Sequence, residues 1–333
     1  MATFLITGGA GFIGSHLAER LVESGCRVNI IDDLSSGSLA NLDAIRHHPG
    51  VEIAVESING GPALGEMAAS SDVIFHLAAT VGVMNIIDSP VETILNNIWG
   101  TEAVLRAAER NRRKVIVVST SEVYGKSLAA PFREGDDLLL GPTVKSRWSY
   151  AASKVIDEFL ALAYWHEKHV PTVVVRPFNT IGPRQIGRYG MVLPRFLWQA
   201  HNGKNLTVYG DGEQTRSFTF VKDAVEWLVR LAADDRAVGQ VFNLGNPREI
   251  TITELARMVI AITGAAVDID YVPYEQAYEA GFEDIARRVP DIGKVCQLTG
   301  YSPRTELEDA LRATYEWFVR FWETSPEARR EAV

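Results

Sequence analysis

TGGAGFIGSHLAERL, Thr7 to Leu21, decides the fold. Its three spaced glycines, Gly8, Gly11 and Gly14, fall between an apolar β-branched run (Thr3–Thr7) and an amphipathic run (Phe12–Ser24). Gly8 permits a tight turn, Gly11 lets backbone approach a pyrophosphate, and Gly14 allows a helix to lie close on its strand. Phosphates then meet the free N–H groups and positive dipole end of the helix, near Phe12 and Ile13. A second apolar run, Arg27–Asp32, ends on a carboxylate about twenty residues further on, where Asp32 can accept both adenosine-ribose hydroxyls. Its charge repels a 2′-phosphate, so the expected dinucleotide is NAD. Asp33 shares that role or caps the loop, and Ser35, Ser36 and Gly37 are further cofactor contacts.

The same alternation continues outward. Asp72–Leu77, Lys114–Val118 and Thr172–Arg176 read as strands, with helices at Val91–Arg110 and Tyr150–His169 between them. Near-continuous apolar strands alternating with helices imply an α/β fold, a doubly wound parallel Rossmann sheet covered on both faces. After Pro177 the pattern loosens into a Gly/Pro/Arg-rich segment, then helices at Asp223–Ala233 and Thr253–Thr263 with a strand at Val241–Leu244. The expected division is a cofactor domain over 1–176, completed by part of 216–245, and a smaller α/β substrate lobe over 177–333 lying on the carboxyl edge of the sheet. The tail from Ser325 is charged and expected to fray.

Composition narrows the class. The chain has 333 residues, 47% of them hydrophobic, enough to bury a large core, and a net charge of −9. Nucleic-acid binders are usually basic, so none is expected as partner, and an anionic ligand needs its own local arginine cluster. Two cysteines, Cys26 and Cys296, are too few for a disulfide framework and read as small buried hydrophobes of a reducing compartment. MATFLITGGAGFIG has neither a basic leader nor a cleavage site, and no apolar run is long enough to span a bilayer. A cytoplasmic enzyme with no membrane partner is expected. No pattern of metal ligands stands out.

The chemistry-bearing residues lie at strand ends. VVSTSEVYG, Val117 to Gly125, puts Ser119, Thr120, Ser121 and Glu122 where the fourth predicted strand emerges. YAASK places Tyr150 and Lys154 at i and i+4 on one helix face. A nearby ammonium lowers a tyrosine's pKa and makes the phenol a usable base. With the Thr120 hydroxyl on the same oxygen, the three form a trio for oxidising a substrate hydroxyl beside a nicotinamide.

GGAGFIG, HLAA (His76–Ala79), NNIWGT (Asn96–Thr101), STSEVYG, YAASK, RPFNTIGPR and VYGDGEQTRSF resemble, in order and over almost the whole chain, the extended short-chain dehydrogenase/reductase family, in particular its sugar-nucleotide members. The resemblance implies that NAD stays bound, contacted also by Leu77, Ala78, Ala79, Asn97, Ser119, Tyr150, Lys154 and Pro177. It implies that Tyr150 takes the proton of the sugar 4-hydroxyl while hydride leaves C4. Simple 4-epimerases usually lack a carboxylate at the Glu122 position, and in dTDP-glucose 4,6-dehydratases an aspartate stands where this chain has Ser121. Thr-Ser-Glu occurs in GDP-mannose 4,6-dehydratases and UDP-glucuronate decarboxylases.

Two further features resemble the decarboxylases. SRWSYAASK is similar to UDP-apiose synthase and to the decarboxylase domain of the aminoarabinose lipid-modification enzyme. GFEDIARRVPDIGK sets Arg288 where those decarboxylases carry an arginine implicated in catalysis. The implied reaction is decarboxylation of UDP-glucuronate through a 4-keto intermediate, giving UDP-xylose or the 4-keto pentose. A 4-epimerase of a UDP-hexuronate or UDP-hexose is the rival, because UDP-xylose synthases typically carry a different tyrosine motif; a 4,6-dehydratase comes next. By the same resemblance Asn179 and Arg216 meet the diphosphate; Arg184 and Arg188 contact phosphate or carboxylate, or serve loop solubility; Val208 and Tyr209 line the uracil, and Val81–Val83 borders the sugar. Arg288 contacts the substrate carboxylate. The family commonly forms homodimers through Val91–Arg110 and Tyr150–His169. The third class of reading, an NAD-binding sensor without activity, predicts loss of Thr120, Tyr150 or Lys154, and all three are present.

Overall fold

The computed structural model describes residues 1–81, 89–128, 130–186, 191–273 and 287–324. In chain order the strands are β1 (Thr3–Thr7), β2 (Arg27–Asp32), β3 (Val51–Val55), β4 (Val73–His76), β5 (Lys114–Val118), β6 (Thr172–Pro177), β7 (Thr180–Ile181), β8 (Leu206–Tyr209), β9 (Thr215–Ser217), β10 (Thr219–Phe220), β11 (Gln240–Leu244), β12 (Glu249–Thr251), β13 (Ile269–Val272) and β14 (Arg287–Arg288). The α-helices are α1 (Phe12–Glu23), α2 (Ala63–Ser70), α3 (Pro90–Glu109), α4 (Arg147–Lys168), α5 (Val192–His201), α6 (Val221–Ala233), α7 (Ile252–Thr263), α8 (Gly293–Thr299) and α9 (Leu307–Thr324).

Seven parallel strands form one sheet in the order β11-β6-β5-β4-β1-β2-β3. This is the Rossmann arrangement: the chain leaves β3 at one edge and crosses over to β4 beside β1. Alternate side chains of each strand enter opposite cores. Ile6, Phe75, Ile116 and Val173 pack under α1 and α6. Leu5, Ile74, Val115, Val117 and Val174 pack under α2, α3 and α4. Both faces are covered, which is why the strands read as almost continuously apolar.

The sequence pattern misses β3 and α2. VEIAV is an edge strand with no fully buried residue, so the two-sided apolar signature of its neighbours is absent. Three small sheets, β10-β7, β12-β9-β14 and β13-β8, carry the second lobe. Helix α4 begins at Arg147, three residues before the expected start, which brings Arg147 onto the helix that carries Tyr150. Both cysteines are half-buried at the edge of the core, less enclosed than expected. Among the described residues no helix is long and apolar enough to cross a membrane. The tail from Ser325 lies outside the described residues.

Candidate active site

One cleft of about 1290 Å³ runs over the carboxyl ends of the sheet strands, large enough for a dinucleotide and a nucleotide sugar together. Its floor at one end is the glycine turn. Gly8 has φ +74°, and a Cβ there would lie 2.7 Å from the Ala78 backbone nitrogen. A Cβ at Gly14 would lie 2.2 Å from the Gly8 carbonyl oxygen, so side chains are excluded where α1 meets the turn. Asp32 is buried at the end of β2. Its Oδ2 accepts from Ala10 N–H and its Oδ1 from Leu34 N–H, each at 2.9 Å. Burial pushes its carboxyl upward and these N–H groups oppose that shift. The carboxylate keeps lone pairs for ribose hydroxyls, and its own charge repels a 2′-phosphate. Asp33 turns to its own loop, accepting from Ser35 N–H and Oγ–H. This cradle fits NAD.

Phe12, Ile13, Gly11, Ser35, Ser36, Gly37, Leu77, Ala78, Ala79, Ser119 and Pro177 all line the cleft. Asn97 does not. It is buried, takes the Thr80 N–H on Oδ1 at 2.8 Å and donates to Ser153 Oγ, so it ties α3 to α4 and to the strand-end loop.

At the other end Thr120 caps the turn Ser121–Tyr124, its Oγ1 accepting from Glu122 N–H at 3.2 Å. The hydroxyl proton stays available and is directed at the Tyr150 phenol oxygen. Below them Arg176 grips Glu158 through two nitrogens, at 2.9 and 2.6 Å, and lies over the Tyr124 ring. Ser119 donates to the same Glu158. This buried scaffold fixes the ends of β5 and β6 relative to α4. Ser121 is buried at the cleft wall.

One expectation about charge is reversed. Lys154 does not line the cleft; its ammonium lies 2.7 Å from Asp157 Oδ2. The Tyr150 phenol is pushed above the usual tyrosine value, by burial first and then by the charges of Glu122 and Asp157, and the Thr120 hydroxyl opposes the shift.

Glu122 sits between two guanidiniums. Arg147 Nη1 is 3.7 Å from its Oε2 and Arg288 Nη1 is 3.8 Å from its Oε1. β14 pairs in parallel with β9 so that Arg288 stands opposite Arg216, which brings these two cleft arginines to one edge. Arg287 turns outward to Glu249 and the Ala130 carbonyl. In a chain of net charge −9, Arg147, Arg216 and Arg288 give one end of the cleft a positive wall suited to anions.

The remaining candidates divide. Val81 borders the cleft, while Val83 and Arg188 lie outside the described residues. Asn179 lines the cleft and is anchored by Nδ2–H to the Ser217 carbonyl at 2.9 Å. Arg184 also lines it but is held on α1 by Glu19 and Ser15. Val208 is a fully buried core residue, because alternation along β8 turns it inward. Tyr209 faces the cleft, with the Arg195 guanidinium 4.1 Å over its ring. Sequence reading missed Arg195, whose charge stands among Leu193, Phe196 and Leu197 in the first turns of its helix, and left Arg147 without a role, because only the helix start reveals where it stands.

The profile of the NAD dependent epimerase/dehydratase family matches residues 4–245. The chain belongs to that family. Over 316 residues it is 43% identical to the UDP-N-acetyl-alpha-D-glucosaminuronate decarboxylase of Bacillus cytotoxicus, covering 94% of this chain and 97% of that one. It is 35% identical to UDP-glucuronic acid decarboxylase 1 of Xenopus tropicalis, over 94% of this chain and 71% of that one. Among solved structures, the UDP-glucuronic acid 4-epimerase of Bacillus cereus, in complex with UDP-glucuronic acid and NAD, superposes with a TM-score of 0.85 at 30% identity, covering 96% and 99% of the two chains. Within this family the cleft described above joins a dinucleotide cradle to an arginine-walled pocket.

Proposed function

We propose that this protein catalyses the NAD-dependent decarboxylation of UDP-glucuronate through a 4-keto intermediate, yielding UDP-xylose or the UDP-4-keto pentose. The observation that carries the reading is Glu122, set between Arg147 and Arg288 beside Thr120 and Tyr150. That end of the cleft meets two adjacent sugar carbons, one bearing a hydroxyl and one a carboxylate. When bound in the glycine-turn cradle, NAD would supply the oxidant at C4; return of the hydride would give UDP-xylose, and its retention would leave the 4-keto pentose.

Tyr150 accepts the C4 hydroxyl proton. The C6 carboxylate is then β to a ketone, so the C5–C6 bond breaks, carbon dioxide leaves, and its electron pair remains as a C5 enolate. Thr120 and Tyr150 donate hydrogen bonds to the enolate oxygen, where charge develops. Arg288 and Arg147 orient the carboxylate before it is lost. Glu122 delivers a proton to C5 directly or through water. Ser121 shapes the wall, and Arg216 and Asn179 bind the diphosphate, with Arg184 steadying that side from α1. Tyr209 flanks the uracil. Asp32, Ser35, Ser36 and the glycine turn hold the dinucleotide. The domain division follows: 1–176 with β11 for the cofactor, 177–333 for the sugar nucleotide.

The 2-acetamido counterpart of UDP-glucuronate is the second substrate to try, since the 43%-identical relative is named for it. Inversion at C4 is the second reading, favoured by the likeness to the UDP-glucuronic acid 4-epimerase. Incubation with either UDP-hexuronate, followed by proton NMR, separates them. A pentose with carbon dioxide release supports decarboxylation; a C4-inverted hexuronate with its carboxyl retained overturns it. A homodimer through α3 and α4 is supported by Val91, Trp99, Ile156 and Phe159, all exposed on those helices.

A further inference from the structure

The Glu122 carboxylate is held by charge alone. Arg147 Nη1 and Arg288 Nη1 stand 3.7 and 3.8 Å from its two oxygens, beyond hydrogen-bond reach. Its backbone N–H donates to Thr120 Oγ1, and among the described residues neither side-chain oxygen accepts a hydrogen bond. The Glu122 side chain is 20% exposed, whereas those of Arg147 and Arg288 are 9% and 10% exposed. Arg147 also lies over the Trp148 ring, 5.3 Å from its centroid, and strand pairing sets Arg288 opposite Arg216. The cations are fixed by a helix start and a strand; the anion between them is the movable member.

A hexuronate brings a second carboxylate to the same two guanidiniums. Two carboxylates that share one site repel, and the usual outcome is that one of them binds a proton. The substrate carboxylate must stay ionised to leave as carbon dioxide, so the proton falls to Glu122. The other groups that face Glu122 do not offer an alternative. Arg147 from α4 and Arg288 from β14, with Arg216 beside it on β9, are permanently charged. Tyr150 from α4 is close enough to feel the Glu122 charge, but its proton traffic is with the C4 oxygen.

We propose that Glu122 is an exchangeable counter-ion: the substrate carboxylate displaces it from Arg147 and Arg288, and Glu122 takes a proton from solvent as it is displaced. That proton is the one C5 later receives. The balance of the reaction requires such a source. Carbon dioxide leaves its electron pair on C5, a C5–H bond replaces the C5–C6 bond, and one proton is consumed for each carboxylate lost. The hydride and the Tyr150 proton serve C4 and its oxygen and supply nothing to C5. A substrate with a neutral C6 leaves Glu122 between the arginines and ionised, so the acid is armed only by the substrate that needs it. The proposal rests on the decarboxylation reading, because the C6 carboxylate drives the exchange.

Proton uptake on binding tests the exchange. The Tyr150→Phe holoenzyme holds substrate without oxidising it and removes the phenol from the proton count. Calorimetric titration with UDP-glucuronate, in buffers of differing ionisation enthalpy, reports the protons taken up; UDP-glucose, whose C6 is a neutral alcohol, is the reference. UDP-glucuronate is expected to take up more, approaching about one proton per site, and its affinity to fall by up to about tenfold per pH unit while that of UDP-glucose stays level. Glu122→Gln in the same background should abolish the excess and flatten the pH dependence. Equal uptake for the two ligands, or an excess that survives Glu122→Gln, overturns the proposal. Should Tyr150→Phe not fold, an indicator dye in stopped flow on the parent holoenzyme carries the test. Uptake ahead of nicotinamide reduction supports the exchange, and uptake only as carbon dioxide appears refutes it. A pentose formed without excess uptake removes the exchange and keeps the decarboxylation reading. An inverted hexuronate formed with excess uptake removes the reading and keeps the exchange, and no binding of UDP-glucuronate removes both.

Discussion

Replacing Glu122 by glutamine preserves its shape and deletes its charge between two guanidiniums. At 3.7 and 3.8 Å, each pair carries about 4 kcal/mol of gross attraction at an effective dielectric of about 20, most of it offset by desolvation. The substrate carboxylate must compete with Glu122 for these same groups. Glu122→Gln is therefore expected to tighten binding of a UDP-hexuronate several-fold and to leave a UDP-hexose with a neutral C6 unaffected. C4 oxidation needs only Thr120, Tyr150 and Lys154 and should proceed. Steps after it should slow by about 10²-fold or more, the effect of losing a positioned acid–base group, or about 3 kcal/mol of barrier. Stopped-flow absorbance follows nicotinamide reduction, and a carboxyl-labelled substrate reports carbon dioxide. The expected result is a reduced cofactor that persists while label release lags. Label release at the parental rate would remove Glu122 from the chemistry.

Gly14→Ala forces a Cβ to 2.2 Å from the Gly8 carbonyl and 2.8 Å from Gly9 Cα; overpacking of this kind costs about 1–3 kcal/mol. Lower thermal stability and weaker NAD binding should appear together, and unchanged calorimetric titration would contradict the cradle. Burial pushes His16 down to about 4 and His76 to about 3. Both stay neutral in the fold while the unfolded chain takes up protons, so stability falls as pH drops below about 6.5. At pH 5 each costs about 2 kcal/mol relative to neutral pH, and His16→Gln should recover roughly half of that loss in urea midpoints. Phe159, 69% exposed on α4, is expected to lie in the homodimer contact. Phe159→Glu should then sediment as a monomer, and a parent protein that is itself monomeric would refute the contact.

Much of the sheet was legible because its strands are buried on both faces, so their apolar runs survive as signal. The edge strand Val51–Val55 was not, since half-burial leaves a mixed pattern. Of the cleft, the residues at turns and strand ends were readable: Gly8, Gly14, Asp32 and Thr120 each stand where a break in periodicity meets a polar or glycine residue, while Tyr150 showed by its spacing to Lys154 on one helix. Asn97 and Val208 were assigned to the ligands and belong to packing. Their neighbours in sequence do face the cleft, and nothing in a string of letters says which residue of a pair turns inward.

The amino-acid order alone determined the strand–helix alternation, the glycine turn and the acid at the end of β2, because these depend on short-range periodicity and on φ freedom at single residues. Only the folded chain decided which charges meet. Lys154 and Asp157 are three residues apart, yet their partnership matters because the fold removes water from both. Glu122, Arg147 and Arg288 come from a turn, a helix start and a strand far along the chain. Coulomb energy depends on distance and local dielectric, and both are set by tertiary packing.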